Sequence, residues 1–172
     1  MKNDDFSFLK KKLFITATNI LTGKLKTFHD GQLIKPILAS AAFPGLFAPV
    51  KIKDSYYVDG GSLNNFPVEL LRKKCDLVIG IYVNTFDVIS FKDLKHTHQV
   101  VERAFKLKTV EEDTQKFDSC DLVICPKGLN KYGIFDKKYL DDIFRIGYNS
   151  TNIDLTQNVL IKMQAPVKTS AD

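Results

Sequence analysis

The sequence predicts an α/β protein in which helices surround a mostly parallel sheet, and two observations lead to this class. Segments with strand-like and helix-like patterns alternate along the 172 residues, as expected where strands are covered by helices. Two runs, Asp76–Val83 and Asp121–Cys125, are continuously apolar. Because that pattern is typical of parallel strands covered on both faces, it predicts an interior sheet.

The first elements are predicted to be a hairpin and a short helix. Leu13–Thr18 and Leu25–Phe28 are rich in strand-forming residues, and Thr22–Gly23 marks a turn between them. Gln32–Ala42 follows as a helix of mainly small residues, and Pro44–Gly45 ends it.

A second hairpin and a second helix come next. Val50–Lys53 and Tyr56–Val58 are predicted strands, with Asp54–Ser55 as the two-residue turn between them. Asn65 is the predicted helix cap, and Pro67 lies in the first turn, where its missing N–H is tolerated.

Two further helices are predicted in the second half of the chain. Lys92–Lys116 reads as a long charged helix. The last helix has the clearest apolar period of three and four residues, formed by Leu140, Ile143, Phe144, Gly147 and Tyr148. The residues after Met163 are predicted to fray.

Composition predicts a globular, intracellular protein. The chain is 44% apolar and 26% charged, which excludes disordered, collagen-like and coiled-coil classes and favours one domain. Its three cysteines form no C-x-x-C pair and are expected to be reduced thiols. The N-terminal residues lack the apolar core of a signal peptide, and no apolar stretch is long enough to span a bilayer. We therefore expect a cytoplasmic protein that contacts a membrane at most peripherally.

Several function classes find no support in the sequence. A net charge of +5 leaves contact with anionic headgroups open, but basic residues are not interleaved with aromatic ones as in nucleic-acid binders, so no nucleic-acid partner is expected. The three histidines show no zinc-like spacing, and no metal is expected. The chain also has no phosphate-binding loop and no dinucleotide fingerprint, so no cofactor is expected.

The candidate site is the motif Tyr57-Val58-Asp59-Gly60-Gly61, which runs on to Asn65-Phe66-Pro67. Asp59 ends a predicted strand, and Gly60 and Gly61 carry no side chains, so a ligand or another backbone segment can approach the carboxylate closely. That arrangement suits a proton acceptor, although an Asp-Gly-Gly sequence is by itself more often only a turn.

The surrounding sequence resembles the second half of the patatin-like phospholipases, a family of acyl hydrolases. The resemblance extends over about residues 12–150, and so many motifs in the same order make coincidence improbable. The strings that carry it are LFITATNILTGKLKTF, ILASAAFPGLFAPVKI, YYVDGGSLNNFPVELL, CDLVIGIYV, DLVICPKGLNKYGIFD and RIGYNS, the last two similar to the closing region of bacterial members.

The resemblance implies a serine acyl hydrolase that uses a Ser-Asp dyad, in which Asp59 matches the aspartate and Gly60, Gly61, Asn65 and Pro67 match residues that support the motif. The implied substrate is a lipid or acyl ester; the residues that would bind it are not identified. An ordinary aspartate is a weak base, with a pKa of about 3.9. The carboxylate must therefore be desolvated, and we expect apolar walls from Val58, Phe43, Phe47 and Leu63.

The family's glycine-rich oxyanion loop and its serine elbow lie upstream of the matching region, and the sequence contains no G-x-S-x-G. Ser40 and Ser62 match structural positions rather than the nucleophile. We therefore expect residues 1–165 to be the C-terminal portion of a patatin-like domain and 166–172 to be a disordered tail. The isolated chain is expected to be inactive and to need the missing half or self-association. The alternative is a noncatalytic lipid-binding or interaction module on the same scaffold.

Overall fold

The computed structural model describes residues 4–84, 88–90, 94, 96–133 and 137–154. These residues divide into two compact units: the described residues within 4–67 and 90–113 form one, and those within 68–89 and 114–154 form the other. The predicted tail, 166–172, and the residues after Met163 lie outside the described residues.

The first unit is built on a four-stranded antiparallel sheet. Its strands are β1 (Ile15–Asn19), β2 (Lys24–Phe28), β3 (Val50–Ile52) and β4 (Ser55–Asp59), in the order β2-β1-β4-β3. Helix α1 (Ile34–Ser40) packs on β1, β3 and β4. The core consists of Ala17, Ala39 and Tyr57, with Phe28, Val50 and Ile52 packed against them.

Both predicted hairpins are present in this sheet, and one turn is shifted by a residue. Ile52 pairs with Ser55, so the turn is formed by Lys53 and Asp54 rather than by Asp54 and Ser55. Lys53 has a φ of 53°, in the left-handed region that glycine usually supplies. The absence of glycine from this turn is why its position was hard to predict.

The second unit contains the parallel strand pair. Helix α2 (Glu69–Arg72) precedes strand β5 (Ile79–Ile81), which pairs in parallel with β6 (Leu122–Ile124). The last helix of the described residues, α4 (Leu140–Asp154), confirms the clearest helical period in the sequence. Helix α3 (Thr97–Gln115) lies mostly in the first unit and corresponds to the predicted long helix, part of whose predicted first turn, 92–93 and 95, lies outside the described residues.

The mixed α/β class is confirmed, and the expectation of a mostly parallel sheet holds only for β5 and β6. The four other described strands pair antiparallel, because β1–β2 and β3–β4 are joined by hairpin loops too short for a parallel crossover. The expectation that both faces of the Asp76–Val83 strand are covered was wrong for the described structure. Ile79 is 41% and Ile81 63% exposed, whereas Val78 and Tyr82 on the other face are buried.

Candidate active site

Asp59 is the last residue of β4, an inner strand of the antiparallel sheet. It lies opposite Ala17 of β1, which is fully buried. Its backbone N–H donates to the carbonyl of Ala42 over 3.0 Å, so the segment that follows α1 is tied to the end of β4. The main chain at Asp59, the candidate base, is therefore held both by its pairing with β1 and by its hydrogen bond to Ala42.

The chain turns sharply immediately after Asp59. The Gly61 N–H donates to Asp59 Oδ1 over 2.8 Å. Residues Gly60–Ser62 form a single 3-10 turn, and the N–H groups of Leu63 and Asn64 donate to the Gly60 carbonyl. The Asp-Gly-Gly motif is therefore a closed turn that keeps one oxygen of the carboxylate hydrogen-bonded.

The two glycines of the motif have different close neighbours, and only Gly60 faces a backbone segment too near for a side chain. A Cβ on Gly60 would lie 2.6 Å from Thr16 Oγ1 and 2.7 Å from the Thr16 carbonyl oxygen, closer than real Cβ atoms approach. A Cβ on Gly61 would lie 3.0 Å from Asn65 Oδ1 and 3.3 Å from Asp59 Oδ1. Glycine thus allows β1 to pack against one side of the turn and Asn65 against the other.

Burial raises the pKa of the Asp59 carboxyl above its ordinary value, and the hydrogen bond from Gly61 partly opposes that rise. The cause is desolvation, which penalises the charged form of a half-buried acid. A raised pKa makes the carboxylate a stronger base than an exposed aspartate. The electrostatics of the site therefore favour proton acceptance.

The expected apolar walls are only partly present in the described structure. Val58 is buried, and the Phe43 ring packs edge-on against Phe105 with centroids 5.3 Å apart. Phe47 and Leu63, in contrast, are 53% and 40% exposed, and the expectation that they form a dry wall was wrong for these residues.

Asn65 does not have the predicted role of helix cap. Val68 occupies the N-cap of α2, without a side-chain hydrogen bond, and Pro67 directly precedes it. The Asn65 side chain instead donates through Nδ2 to Asp113 Oδ2 of α3 over 2.7 Å. The Asn65 side chain therefore bonds to a distant helix and not to the backbone of the helix that follows it.

Asp113 is the residue that the sequence analysis missed. Its side chain is only 1% exposed, although both neighbours, Glu112 and Thr114, are exposed. In the sequence it stands in the charged run Glu111-Glu112-Asp113, where nothing distinguishes it from its neighbours. Its importance becomes visible only when α3 is placed beside Asn65.

The serines near the motif make no hydrogen bond to Asp59 in the described residues. The carboxylate accepts from the Gly61 N–H, and Ser62 Oγ is buried without a hydrogen-bond partner in the part of the chain that the structure describes. Ser40 lies at the end of α1. Neither serine is placed as the nucleophile partner of Asp59.

Two features are absent from the described residues: a cluster of metal-binding side chains and a membrane-spanning helix. No group of three or more His, Cys, Asp or Glu side chains within the described ranges could hold a metal ion. Within the same ranges, the structure contains no helix whose length and apolarity would allow it to cross a bilayer.

Comparison with known proteins places this motif in a family context. Residues 1–72 match the family model described as patatin-like phospholipase. A probable lipid hydrolase, 463L, of Invertebrate iridescent virus 6 is 30% identical over 91 residues, which cover 45% of this chain and 31% of the viral protein.

Two cellular relatives match shorter segments. An uncharacterised NTE family protein of Mycobacterium tuberculosis is 36% identical over 69 residues, or 40% of this chain and 19% of that protein. Lysophospholipase NTE1 of Meyerozyma guilliermondii is 31% identical over 77 residues, or 44% of this chain and 5% of that protein. The matched segment therefore spans less than a third of the length of these relatives. The family match includes Asp59 and the whole turn that follows it, so the similarity to patatin-like phospholipases covers the candidate site.

Proposed function

We propose that this chain supplies the proton-accepting aspartate of a serine hydrolase that cleaves acyl esters of lipids. The observation that carries the proposal is the position of Asp59. It lies within the matched residues, ends an inner strand, is held by the Gly61 N–H and has a pKa raised by burial. The name of the viral relative, a probable lipid hydrolase, supports the same substrate class.

The proposed reaction has two steps. A serine oxygen attacks the ester carbonyl carbon, and its proton passes to the Asp59 carboxylate. The tetrahedral intermediate collapses, and the alcohol leaves with that proton. Water then attacks the acyl-serine, Asp59 accepts a proton from the water, and the serine oxygen recovers it as the carboxylic acid leaves.

The finer part of the proposal concerns the missing groups. We propose that residues 1–165 correspond to the C-terminal half of a bacterial-type patatin-like domain. The serine and the oxyanion-hole donors are then supplied by polypeptide other than the 172 residues. This is supported by the absence of G-x-S-x-G from the sequence and by the lack of a serine bonded to Asp59 in the described residues.

Active-site labelling with a fluorophosphonate tests whether the nucleophilic serine comes from polypeptide other than the 172 residues. The 172-residue chain alone is expected to remain unlabelled, because the probe reacts with an activated serine. Adding the polypeptide encoded immediately upstream is expected to restore labelling and ester hydrolysis, and we call this assembly the complete hydrolase. Strong labelling of the 172 residues alone would contradict the proposal.

The role of Asp59 is tested in the complete hydrolase by Asp59→Asn, with Asp54→Asn as the control. Asp54 is an exposed aspartate in the turn at the other end of β4. Asp59→Asn should abolish labelling and hydrolysis, and Asp54→Asn should leave both intact. If the unmutated complete protein shows neither labelling nor hydrolysis but binds lipid vesicles, that result would favour the noncatalytic module instead.

A further inference from the structure

A buried carboxylate that the proposed chemistry does not use lies beside the candidate site. Asp113 of α3 is 1% exposed. Burying a polar side chain is costly unless a hydrogen-bond partner replaces its water, so the partner of Asp113 matters for the local structure. The hydrogen bond that it accepts comes from Asn65 Nδ2, at 2.7 Å.

The other end of the Asn65 carboxamide contacts the Asp-Gly-Gly turn. Asn65 Oδ1 lies where it would be 3.0 Å from a Cβ on Gly61, and Asp59 Oδ1 would be 3.3 Å from the same atom. The two oxygens therefore lie close to the Gly61 α-carbon. Since the Gly61 N–H holds the Asp59 carboxylate, a displacement of Gly61 changes the orientation of Asp59.

A second bond joins α3 to the same turn. Lys108 Nζ donates to the Ser62 carbonyl over 3.4 Å, five residues before Asp113 on the helix. This contact is exposed, whereas the Asn65–Asp113 bond is part-buried and its acceptor is fully enclosed. The enclosed bond is the stronger constraint, because a hydrogen bond gains strength away from water.

We propose that Asn65 and Asp113 are positioning residues for Asp59: the buried Asp113 carboxylate holds the Asn65 carboxamide against Gly61, and Gly61 in turn orients the proton-accepting carboxylate. The catalytic consequence rests on the proposed function, whereas the positioning of the turn does not. Because the pair acts on Asp59 through Gly61, its loss should change the orientation of the Asp59 carboxylate, and we expect substrate binding to stay the same.

Hydrogen exchange in the 172-residue chain tests the positioning directly. Asn65→Ala and Asp113→Ala should each speed exchange of the amides of residues 60–64 about tenfold or more, as local opening becomes easier, and leave the β3–β4 hairpin unchanged. The double variant should show no further increase, because both residues act through one bond. Glu112→Ala, an exposed neighbour on the same helix, is the control and should exchange like the unmodified chain.

Kinetics in the complete hydrolase test the consequence for catalysis. The same variants should lower kcat about 10- to 100-fold, because small misplacements of a reacting group are costly, and leave KM unchanged. Asp113→Asn keeps the side-chain volume and an acceptor oxygen, and it should recover most of the lost kcat.

Three results would overturn the inference. The first is unchanged exchange at residues 60–64 in a folded Asn65→Ala or Asp113→Ala chain. The second is faster exchange with unchanged kcat. The third applies if both alanine variants fail to fold: an Asn65→Leu chain, which keeps a similar side-chain volume but has lost the Nδ2 donor, contradicts the inference if its exchange and its kcat are both unaltered. Failure of the proposed function appears separately, as turnover that survives Asp59→Asn.

Discussion

Two carboxylates, one in each unit of the molecule, are held in contrasting ways. Asp59 in the first unit accepts one backbone N–H, from Gly61, and its pKa is raised by burial. Asp121 in the second unit accepts from Arg72 Nη1 at 2.6 Å and from the Val78 N–H at 2.8 Å. The same guanidinium also reaches the carbonyls of Ser119, Cys75 and Asp76.

The difference separates a structural carboxylate from one suited to chemistry. The guanidinium and the amide at Asp121 replace the water that burial removes from its carboxylate. Asp59 receives less compensation for its lost water, so accepting a proton relieves an unfavourable charge. The basicity of Asp59 therefore arises because protein donors replace its lost water only in part. Mutation of Asp59 should lower activity, whereas mutation of Asp121 should lower stability.

Neutralising Asp59 should have the largest effect, and on activity alone. Asp59→Asn is expected to lower kcat of the complete hydrolase about 10²- to 10⁴-fold, the usual contribution of a general base. The asparagine oxygen still accepts from the Gly61 N–H and carries no buried charge, so thermal stability should be unchanged or higher. Ester turnover and thermal unfolding measure the two effects. A marked fall in the unfolding temperature would show that Asp59 is a structural carboxylate like Asp121.

Filling the space at Gly60 should break the packing that places Asp59. Gly60→Ala is expected to destabilise the fold by about 3 kcal/mol, near the upper end for overpacking, because the new methyl group meets the Thr16 backbone. Urea unfolding measures the loss. Gly147→Ala in α4, where a Cβ meets nothing within 4 Å, is the control and should stabilise by about 0.5–1 kcal/mol. Equal effects at the two glycines would refute the close contact with β1.

Removing Asp121 should damage stability and spare the chemistry. Asp121→Ala leaves the Arg72 guanidinium and the Val78 N–H without their shared acceptor, which should cost about 2 kcal/mol. Urea unfolding reports this loss. The kcat of the folded fraction should equal that of the unmodified protein, and a large fall in kcat would remove the contrast between the two sites.

The smallest expected effect is a shift in pH dependence. Because burial raises the Asp59 pKa, turnover should rise with pH through a midpoint above 3.8, the value of an unperturbed aspartate. Stability should change with pH in the opposite direction. The contribution of Asp59 to the free energy of unfolding is full below the ordinary aspartate pKa of 3.8 and is lost as pH rises through the raised pKa. Asp59→Asn should remove this decline, which unfolding measured from acidic to neutral pH detects. An acid limb at or below 3.8 would contradict the raised pKa.

Local sequence pattern was sufficient for the order of the elements. Both hairpins, the small-residue helix, the two apolar strands and the last helix follow from residue type, apolar period and turn residues, because each depends on neighbours along the chain. The Asp-Gly-Gly turn was also visible, since its glycines and its carboxylate lie within three residues.

Predictions that depended on distant residues were less successful. The continuous apolar run at Asp76–Val83 does not state which face another element covers, and in the described structure Ile79 and Ile81 remain exposed. Asn65 has the residue type of a helix cap, but a partner 48 residues later takes its hydrogen bond.

From the sequence alone came the fold class, the family resemblance and Asp59 as the candidate base. Only the tertiary structure decided that β1 pairs with β4 and β5 with β6, that β1 packs against Gly60, and that Asp113 accepts the hydrogen bond of Asn65. The physical reason is the range of the interactions. Turns and apolar periods are properties of neighbouring residues, whereas the burial of Asp59 and the partner of Asn65 arise when distant segments pack together.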